Sequence, residues 1–487
     1  MENFIINLKR LFAAENFLSS YSKFAYNDLV ANSTISNKRS NYIIFLTDDT
    51  DANTTFAKRV SSILQSSNIK PNNASKTFDY INGLSIYLTP EEAIRIQRLE
   101  EVKSIEADRN MPFMPPVSVN NNDKKLEFNR ITASKTSTNE ESISTKQYAY
   151  SLKPVWNNSL PKTKDIEFKN NILVNSLKPY GNTIASTGEI LPYGVKAVWE
   201  GEDVSLKGNI GTGSYVFVID SGVLSTTNDF NLNTEWSKSW ISGEGAFSDG
   251  VGHGSHVAGT IGALANGKGV VGVAPGAEII SLKVFNNSGA GASYSTIIDS
   301  INYATKIINE NNIDKSKVVI NMSLGGPFSL GLDQAVRNAA NQGIRFSIAA
   351  GNSMTDADNV SPASAGDHEN VYTVSAVDNN YNTAWWSNYD DAIGGDDVDV
   401  SAPGVNVYSY YQGGELALLS GTSMAAPHVA GLLLLGDVRE GEMAGKNWFG
   451  YADPFALVEK SLLETENNSD TTPPTIAISS SSSSIEV

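Results

Sequence analysis

The sequence contains no cysteine. A chain without thiols forms no disulfides, builds no thiolate metal site and uses no cysteine nucleophile. Histidine is almost as scarce, with four residues in 487, so a general base that works near neutral pH has few candidates. No stretch approaches the roughly 18 consecutive apolar residues of a transmembrane helix. These absences exclude cysteine chemistry and predict no membrane-spanning segment.

Basic residues are also fewer than acidic ones. Lys and Arg number 36 against 53 Asp and Glu, for a net charge of −17. A chain this acidic is poorly suited to nucleic acid or anionic lipid, so we expect no nucleic-acid partner. The first twenty residues, MENFIINLKRLFAAENFLSS, lack a continuous apolar segment followed by a small-residue cleavage site, and no standard secretory signal is visible.

Residues 41–110 predict a small α+β domain. The elements in order are the strand YIIFL, a helix with apolar Phe56, Val60, Ile63 and Leu64, two strands around an Asn82-Gly83 turn, a helix capped by Thr89, and the strand VKSIEAD. This β-α-β-β-α-β order is typical of ferredoxin-like domains. We expect residues 1–40 to be an amino-terminal extension of that domain.

Residues 188–463 predict a larger α/β domain. Six apolar runs, YVFVID, EIISLKVF, VVINMSL, IRFSIAAG, VYTVSAV and DVDVSAPG, alternate with helical patterns. Such runs are typical of a largely parallel, doubly wound sheet covered on both faces. Residues 111–187 are rich in Asn, Ser, Thr and Lys and predict a linker or processing region. Residues 464–487 predict a Ser/Pro-rich linker and the start of a further module.

Three polar residues occupy strand ends or helix starts of the larger domain. Asp220 ends the apolar run VFVID, His256 lies in GHGSHVAGT, and Ser423 begins the small-residue stretch of SGTSMAAPHVAG. An aspartate that orients an imidazole, an imidazole that accepts a proton and a hydroxyl that attacks a carbonyl form an acyl-transfer triad. We therefore predict Asp220, His256 and Ser423 as catalytic residues.

The blocks VIDSG, GHGSHVAGT, AAGN and SGTSMAAPHVAG resemble the signature blocks of the subtilisin-like serine endopeptidases. The order Asp, His, Ser is the one known for subtilisin. The resemblance implies a subtilisin-type fold and peptide hydrolysis through an acyl-enzyme. It also implies that Asn352 and the Ser423 backbone N–H form the oxyanion hole. One departure, Ser255 where the family usually has Thr, keeps the hydroxyl.

By the same resemblance, an extended protein or peptide substrate lies between two backbone edges. The predicted substrate-binding residues are Ser323, Leu324, Gly325, Gly289, Ala290, Gly291 and Tyr294. A nucleotide loop is a competing interpretation of the glycines, but no GK[ST] follows. A catalytic metal on His253 and His256 is another competing interpretation, but no HExxH follows, and the resemblance implies a structural role for His253.

The stretch ALANGKGVVGV has the length of the family's calcium loop. The resemblance therefore implies a calcium site of oxygen ligands, which suit a hard cation. The predicted ligands are Glu189, Asp229, Leu264, Asn266, Lys268 and Val270. We expect no organic cofactor.

The domain at 41–110 resembles the propeptide inhibitor that precedes subtilisin-type catalytic domains. That resemblance implies a zymogen whose own propeptide assists folding, inhibits the active site and is cut away. The tail of the propeptide ends near residues 109–116, whereas GEILPYGV, which looks like the start of a mature enzyme, begins at Gly188. The cleavage site stays open to any position in the linker, or to two positions.

Two other functions remain open from the residues alone. The fold could serve as an inactive binding or scaffold protein, or the chain could be an esterase, although GTSMA is not the GxSxG elbow of α/β-hydrolases. NVSPASAG at residues 359–366 is expected to form a wall of the specificity pocket, and its lack of acidic residues argues weakly against a strict basic preference. The family resemblance favours action outside the cell or at its surface.

Overall fold

The computed structural model describes residues 38–48, 55–69, 74–113, 115–117, 180–390, 397–447 and 449–463. The predicted module start at 464–487, nearly all of the amino-terminal extension and most of the linker lie outside these residues. Within the described residues no helix is both long and apolar enough to cross a membrane.

The amino-terminal domain is a four-stranded antiparallel sheet with two helices. Its order along the sheet is β2-β3-β1-β4. The elements are β1 (Ser40–Leu46), α1 (Phe56–Ser66), β2 (Ala74–Phe78), β3 (Gly83–Leu88), α2 (Pro90–Gln97), β4 (Val102–Ala107) and β5 (Asn110–Met111). The β-α-β-β-α-β order predicted from the sequence is confirmed.

Local sequence explains where helix α2 begins. The Thr89 hydroxyl accepts a hydrogen bond from the Glu92 N–H, and the Glu92 carboxylate accepts one from the Thr89 N–H, so both halves of a capping box are present. Pro90 occupies the first helical position, where its missing N–H costs nothing. The capped helix buries Ala93 and Ile96 against the sheet.

The larger domain is built on a ten-stranded sheet of order β10-β11-β8-β13-β15-β17-β18-β22-β21, with β9 beside β11. Its strands are β8 (Tyr215–Asp220), β9 (Asn231–Leu232), β10 (Lys238–Ser239), β11 (Glu278–Lys283), β13 (Val318–Met322), β15 (Arg345–Ala349), β17 (Val371–Val377), β18 (Val400–Pro403), β21 (Arg439–Met443) and β22 (Pro454–Leu457). Every pair in the sheet is parallel except β21 with β22.

Helices and short strands complete the domain. The helices are α3 (Tyr193–Val198), α4 (His253–Gly262), α5 (Tyr294–Glu310), α6 (Leu330–Ala340), α7 (Thr422–Leu435) and α8 (Lys460–Leu463). The short strands are β6 (Thr183–Ile184), β7 (Ile190–Leu191), β12 (Ala292–Ser293), β14 (Gly326–Pro327), β16 (Val360–Ser361), β19 (Val407–Tyr410) and β20 (Leu416–Leu419). The six apolar runs predicted as strands are all strands.

The central strands are apolar along their length because both faces of the sheet are covered. All five residues of β13 are buried, as are all five of β15. One hydrophobic cluster packs helices α4 and α7 on one face, and a second packs α5 and α6 on the other. In such a sheet, polar groups that must reach a ligand gather beyond the carboxyl ends of the strands.

Candidate active site

Asp220 and His253 form a buried hydrogen-bonded pair. Asp220 is the last residue of β8, and His253 is the first residue of α4. The His253 Nδ1 lies 2.9 Å from both carboxylate oxygens of Asp220, and each residue is only 1% exposed. Within the described residues the other ring nitrogen, Nε2, is buried without a hydrogen-bond partner. That nitrogen is therefore available to accept a proton.

The sequence prediction of His256 as the catalytic imidazole is wrong. His256 lies one turn farther along α4, and its Nε2 is 3.0 Å from the Val407 carbonyl and 3.3 Å from that of Ala417. A nitrogen between two carbonyl oxygens donates a proton and does not accept one. Burial, together with the charge of His253, lowers the pKa of His256 to about 3. His256 is thus a neutral buried histidine, and it is His253 that pairs with Asp220.

His253 has the electrostatics of a general base. Burial lowers the pKa of its imidazole, but the charge and hydrogen bond of Asp220 raise it, with a further contribution from Asp249. The net result is a pKa above the ordinary histidine value. An imidazolium formed here during a reaction is thus stabilised by the carboxylate of Asp220, which contacts the ring, and by the nearby charge of Asp249.

Asp249, which was not predicted from the sequence, is hydrogen-bonded to the elements that carry Asp220 and His253. Its carboxylate accepts hydrogen bonds from the Ser221 hydroxyl (2.8 Å), the Gly252 N–H (2.7 Å), the Ser255 N–H (2.9 Å) and the Ser255 hydroxyl (2.7 Å). The first donor follows Asp220, and the others lie at the start of α4. Asp249 therefore links the strand that carries Asp220 to the helix that carries His253.

The two elements approach so closely because residue 254 is glycine. A Cβ atom there would lie 2.1 Å from the Gly222 carbonyl oxygen and 3.2 Å from the Asp220 carboxylate. Such a contact is far inside van der Waals distance. The Ser255 hydroxyl accepts a hydrogen bond from the Leu224 N–H. Thr, the usual residue of the family at this position, carries the same hydroxyl, so the Ser keeps this bond.

Ser423 is the second residue of α7, where its side chain is 7% exposed. Its hydroxyl donates to the Ser323 carbonyl at 3.1 Å. The small residues around it let α7 pack against strands β13, β15 and β17. His428, the other histidine of this stretch, binds the Met424 carbonyl through Nδ1 and is buried, in agreement with a structural role.

Asn352 lies beside the first turn of α7. Its Oδ1 accepts hydrogen bonds from the N–H and the hydroxyl of Thr422, both at 2.9 Å. With Oδ1 held in this way, the amide group left to donate is Nδ2. That group and the Ser423 N–H are the kind of neutral donors that stabilise charge on a carbonyl oxygen in a transition state.

The cleft beside Ser423 contains the end of the amino-terminal domain. Strand β5 pairs antiparallel with β12, Met111 opposite Ala292 and Asn110 opposite Ser293. The cleft is lined by Ser323, Leu324 and Gly325 on one wall and by Phe285 on another. Gly291 is the closest approach, because a Cβ there would lie 2.3 Å from the Met111 carbonyl oxygen.

The other predicted substrate residues surround the same segment. Gly289 lies next to Phe113, and both the Tyr294 hydroxyl and the Met111 side chain lie against Gly326. The Tyr294 hydroxyl donates to the Pro327 carbonyl. The Ala290 N–H donates a hydrogen bond to the side-chain oxygen of Asn286. Residues of both predicted edges thus lie near the segment 110–113.

Two carboxylates of the amino-terminal domain lie at the amino ends of helices α5 and α6. Asp108 accepts from the N–H and hydroxyl of Ser295 at 3.0 and 2.6 Å. Glu106 accepts from the Ser329 hydroxyl and from the Gly331 N–H. Negative charge at a helix amino terminus is favourable because free N–H groups point at it. These bonds hold the domain across the cleft.

The predicted calcium ligands also come together. Asp229 and Glu189 are buried, and the charge of Glu189 adds to the effect of burial in raising the pKa of Asp229 to about 6. Asp229 accepts hydrogen bonds from the Asn266 amide and the Tyr410 hydroxyl. The other predicted ligands, Leu264, Lys268 and Val270, lie in the same loop, where the Leu264 N–H binds the Asp229 carbonyl and Val270 pairs with Ile190. Within the described residues no three His, Cys, Asp or Glu side chains form a metal cluster.

Comparisons with known proteins agree with this geometry. Residues 211–440 match the model of the Subtilase family, and residues 41–114 match that of Peptidase inhibitor I9. Subtilisin DY of Bacillus licheniformis is 41% identical over 248 residues, which are 51% of this chain and 84% of that protein. The chain belongs to the subtilase family of serine endopeptidases.

Other relatives of this subtilase extend the comparison. Proteinase T of Parengyodontium album is 37% identical over 254 residues, 51% of this chain and 81% of that protein. A solved structure of a cold adapted subtilisin-like serine proteinase is 29% identical, with a TM-score of 0.46 over 57% of this chain and all of that one. The family assignment makes the fold a subtilisin-like sheet preceded by an I9 inhibitor domain.

Proposed function

We propose that this subtilase is a self-processing endopeptidase in which Ser423 is the nucleophile and His253 the general base. The observation that supports it most is the Asp220–His253 pair, because its buried Nε2 has no other partner among the described residues. Asp220 holds the imidazole by Nδ1, which keeps Nε2 as the basic nitrogen. Asn352 Nδ2 and the Ser423 N–H supply the oxyanion hole.

In this mechanism the Ser423 hydroxyl exchanges its bond to the Ser323 carbonyl for one to His253 Nε2. The oxygen attacks the substrate carbonyl, and its proton passes to the imidazole. His253 then gives that proton to the leaving amine as the C–N bond breaks. Water attacks the acyl-enzyme by the same route, with His253 again the base, and releases the acid and the free serine.

The substrates we propose are extended protein or peptide chains that lie where residues 109–113 lie now. Ser323, Leu324 and Gly325 form one edge, and Gly289, Ala290, Gly291 and Tyr294 belong to the other. The chain's own amino-terminal domain, residues 41–110, is the proposed intramolecular inhibitor. Because most relatives of this family act after export, we propose a secreted or cell-surface enzyme.

We also propose a structural calcium ion at Asp229. Calcium takes oxygen ligands from carboxylates, amides and backbone carbonyls, and the loop offers two buried carboxylates, the Asn266 side chain and the carbonyls of Leu264, Lys268 and Val270. Burial is the main cause of the raised pKa of Asp229, and the negative charge of Glu189 adds to it. The ion would stabilise the fold and takes no part in the chemistry.

The test of the peptidase function is incubation of the purified chain with casein and with a peptide phosphonate. We expect hydrolysis of casein, covalent labelling of Ser423, and loss of both in Ser423→Ala. A matched control is Ser420→Ala, which removes a neighbouring hydroxyl that binds the Asn406 N–H. Absence of labelling in the folded, processed chain would contradict the proposal, and labelling without casein hydrolysis would favour an esterase.

A further inference from the structure

Lys283 is a fully buried lysine that takes no part in the mechanism above. It is the last residue of β11, lies opposite Asp220 in the parallel register, and is 0% exposed. Burying an ammonium group is costly unless polar partners replace the water that it loses. The groups that this ammonium contacts therefore indicate its role.

The Lys283 ammonium binds the end of the strand that carries the catalytic aspartate. Its Nζ donates to the carbonyl of Ser221, the residue after Asp220. The Ser221 N–H donates to the Asp220 carboxylate at 2.6 Å, and the Ser221 hydroxyl accepts the Gly254 N–H at 3.0 Å. Ser221 thus contacts both Asp220 and the helix that carries His253, and Lys283 holds this residue by its carbonyl.

The same ammonium holds the loop that leads into the substrate edge at residues 289–291. Its Nζ lies 3.1 Å from Asn287 Oδ1 and 3.2 Å from a carboxylate oxygen of Glu244. That carboxylate also accepts the Asn287 N–H at 2.9 Å. Asn287 is two residues before Gly289, where the edge begins. Lys283 and Glu244 therefore hold the loop by both its backbone and a side chain.

A further connection runs from Asn287 to the stretch that contains Asp249. The Asn287 Oδ1 accepts the Gly250 N–H at 2.8 Å. A Cβ atom at Gly250 would lie 2.6 Å from the Asn287 Cβ, so the two segments pack without a gap. Because Asp249 binds the first turn of α4, the network around Lys283 reaches the helix that carries the general base.

Stability alone explains this arrangement poorly. A buried ion pair contributes little net stability, because apolar side chains of similar volume often serve as well. The Glu244 side chain is also 24% exposed, so water weakens its attraction to the ammonium. The other two acceptors, the Ser221 carbonyl and Asn287 Oδ1, belong to the catalytic strand end and to the substrate loop.

We propose that Lys283 is a positioning residue that holds the substrate edge in place relative to the Asp220–His253 pair. The inference rests on the proposed peptidase function, and Lys283 acts only through Ser221 and Asn287. A misplacement of about 1 Å in an active site can lower the rate about a hundredfold. Loss of the ammonium should therefore lower kcat through the strand end and raise KM through the edge.

The test compares the processed enzyme with Lys283→Met, which keeps an unbranched apolar side chain but has no charge. Lys238→Met is the matched control, because Lys238 lies on the neighbouring strand β10 and its ammonium stacks on Trp240 and Tyr303, 4.5 Å from each ring centroid. The substrates are an extended peptide anilide, which uses the edge, and p-nitrophenyl acetate, which is too small to reach it. Rates are divided by the concentration of active sites titrated with a peptide phosphonate, so unfolded protein does not count.

The two substrates should respond differently to Lys283→Met. The kcat for the peptide and the kcat/KM for the ester should each fall about tenfold or more. The KM for the peptide should rise about fivefold, as for the loss of one hydrogen bond at the edge. Lys238→Met should leave all these constants unchanged. If either the kcat or the KM for the peptide is unchanged in Lys283→Met, the ammonium does not join the two parts and the inference is overturned.

A second variant, Glu244→Gln, covers the case in which Lys283→Met does not fold. The Gln side chain has nearly the same shape but no charge to hold the ammonium and the Asn287 N–H. The KM for the peptide should rise about threefold, because a neutral acceptor binds more weakly than a charged one. A peptide KM equal to that of the unaltered enzyme would overturn the inference. If the unaltered enzyme hydrolyses neither the peptide nor casein, it is the peptidase function that fails.

Discussion

Replacing Asp249 by Asn tests whether this buried carboxylate positions the catalytic pair. Asp249 is 3% exposed and accepts four hydrogen bonds. Asn keeps one acceptor oxygen and turns an NH₂ group toward donors, so about two of the four bonds are lost. At about 1.5 kcal/mol for a bond to a charged group, the free energy of unfolding should fall by about 3 kcal/mol.

The substitution should also move the pH profile. Asp249 is one of the charges that raise the pKa of His253, so its neutralisation lowers that pKa. The base then stays unprotonated to lower pH, and the acid limb of kcat/KM shifts downward. Asp367→Asn, at an exposed carboxylate that pairs with Arg337, should change neither quantity appreciably. The reasoning would be refuted by an unchanged acid limb in a folded Asp249→Asn enzyme.

Two further predictions concern the charges at the domain contact and in the loop. Burial raises the pKa of Glu106 to about 7, against the lowering effects of Ser329, Arg109 and Gly331. Glu106 therefore takes up a proton when the amino-terminal domain binds to the larger domain. The binding should weaken as pH rises from about 4.5 to about 7, and its strength should be constant at higher pH. The Ser423→Ala chain and the Ser423→Ala, Glu106→Gln chain should therefore have similar melting temperatures at acid pH and different ones near pH 7. The same dependence of melting temperature on pH in both chains would contradict this. At a calcium concentration of about 100 times its Kd, the ion should stabilise the processed enzyme by about 2.7 kcal/mol. The melting temperature should therefore be lower in the presence of a chelator, and Asp229→Asn should remove this difference.

The elements and the general position of the site could be predicted because their causes are local. Strands such as Tyr215–Asp220 are continuous apolar runs, and helix α2 begins at a capping box that lies within four residues of sequence. Asp220 and Ser423 were predicted at a strand end and a helix start, and the structure has them there. Signals of this kind need no knowledge of what packs against them.

The choice between the two histidines could not be made in this way. His253 and His256 are three residues apart on one helix among the same glycines, so both satisfy the local pattern. The difference is tertiary, because the first turn of α4 meets the end of β8 while the next turn meets the Val407 and Ala417 carbonyls.

The role of Asp249 and the cleft contact of residues 115–117 were not predicted, for a similar reason. Asp249 lies in an irregular stretch, and its four donors come from two elements that only the fold brings together. Pro115 and Pro116 were included in a linker because nothing local says that Val117 binds Ser420 across the cleft. Both sets of contacts join separate elements, over 28 positions for Asp249 and Ser221 and about 300 for Val117 and Ser420.

The central claim is that His253, and not His256, is the catalytic base. The most direct measurement is the self-cleavage of the full chain in His253→Gln and His256→Asn variants, with folding checked by circular dichroism. Triad removal lowers kcat about 10⁶-fold in subtilisin, a relative of this chain, so His253→Gln should stay full length. His256→Asn can still donate to a carbonyl and should process itself at a readily measured rate. Processing by folded His253→Gln, together with none by folded His256→Asn, would contradict the account.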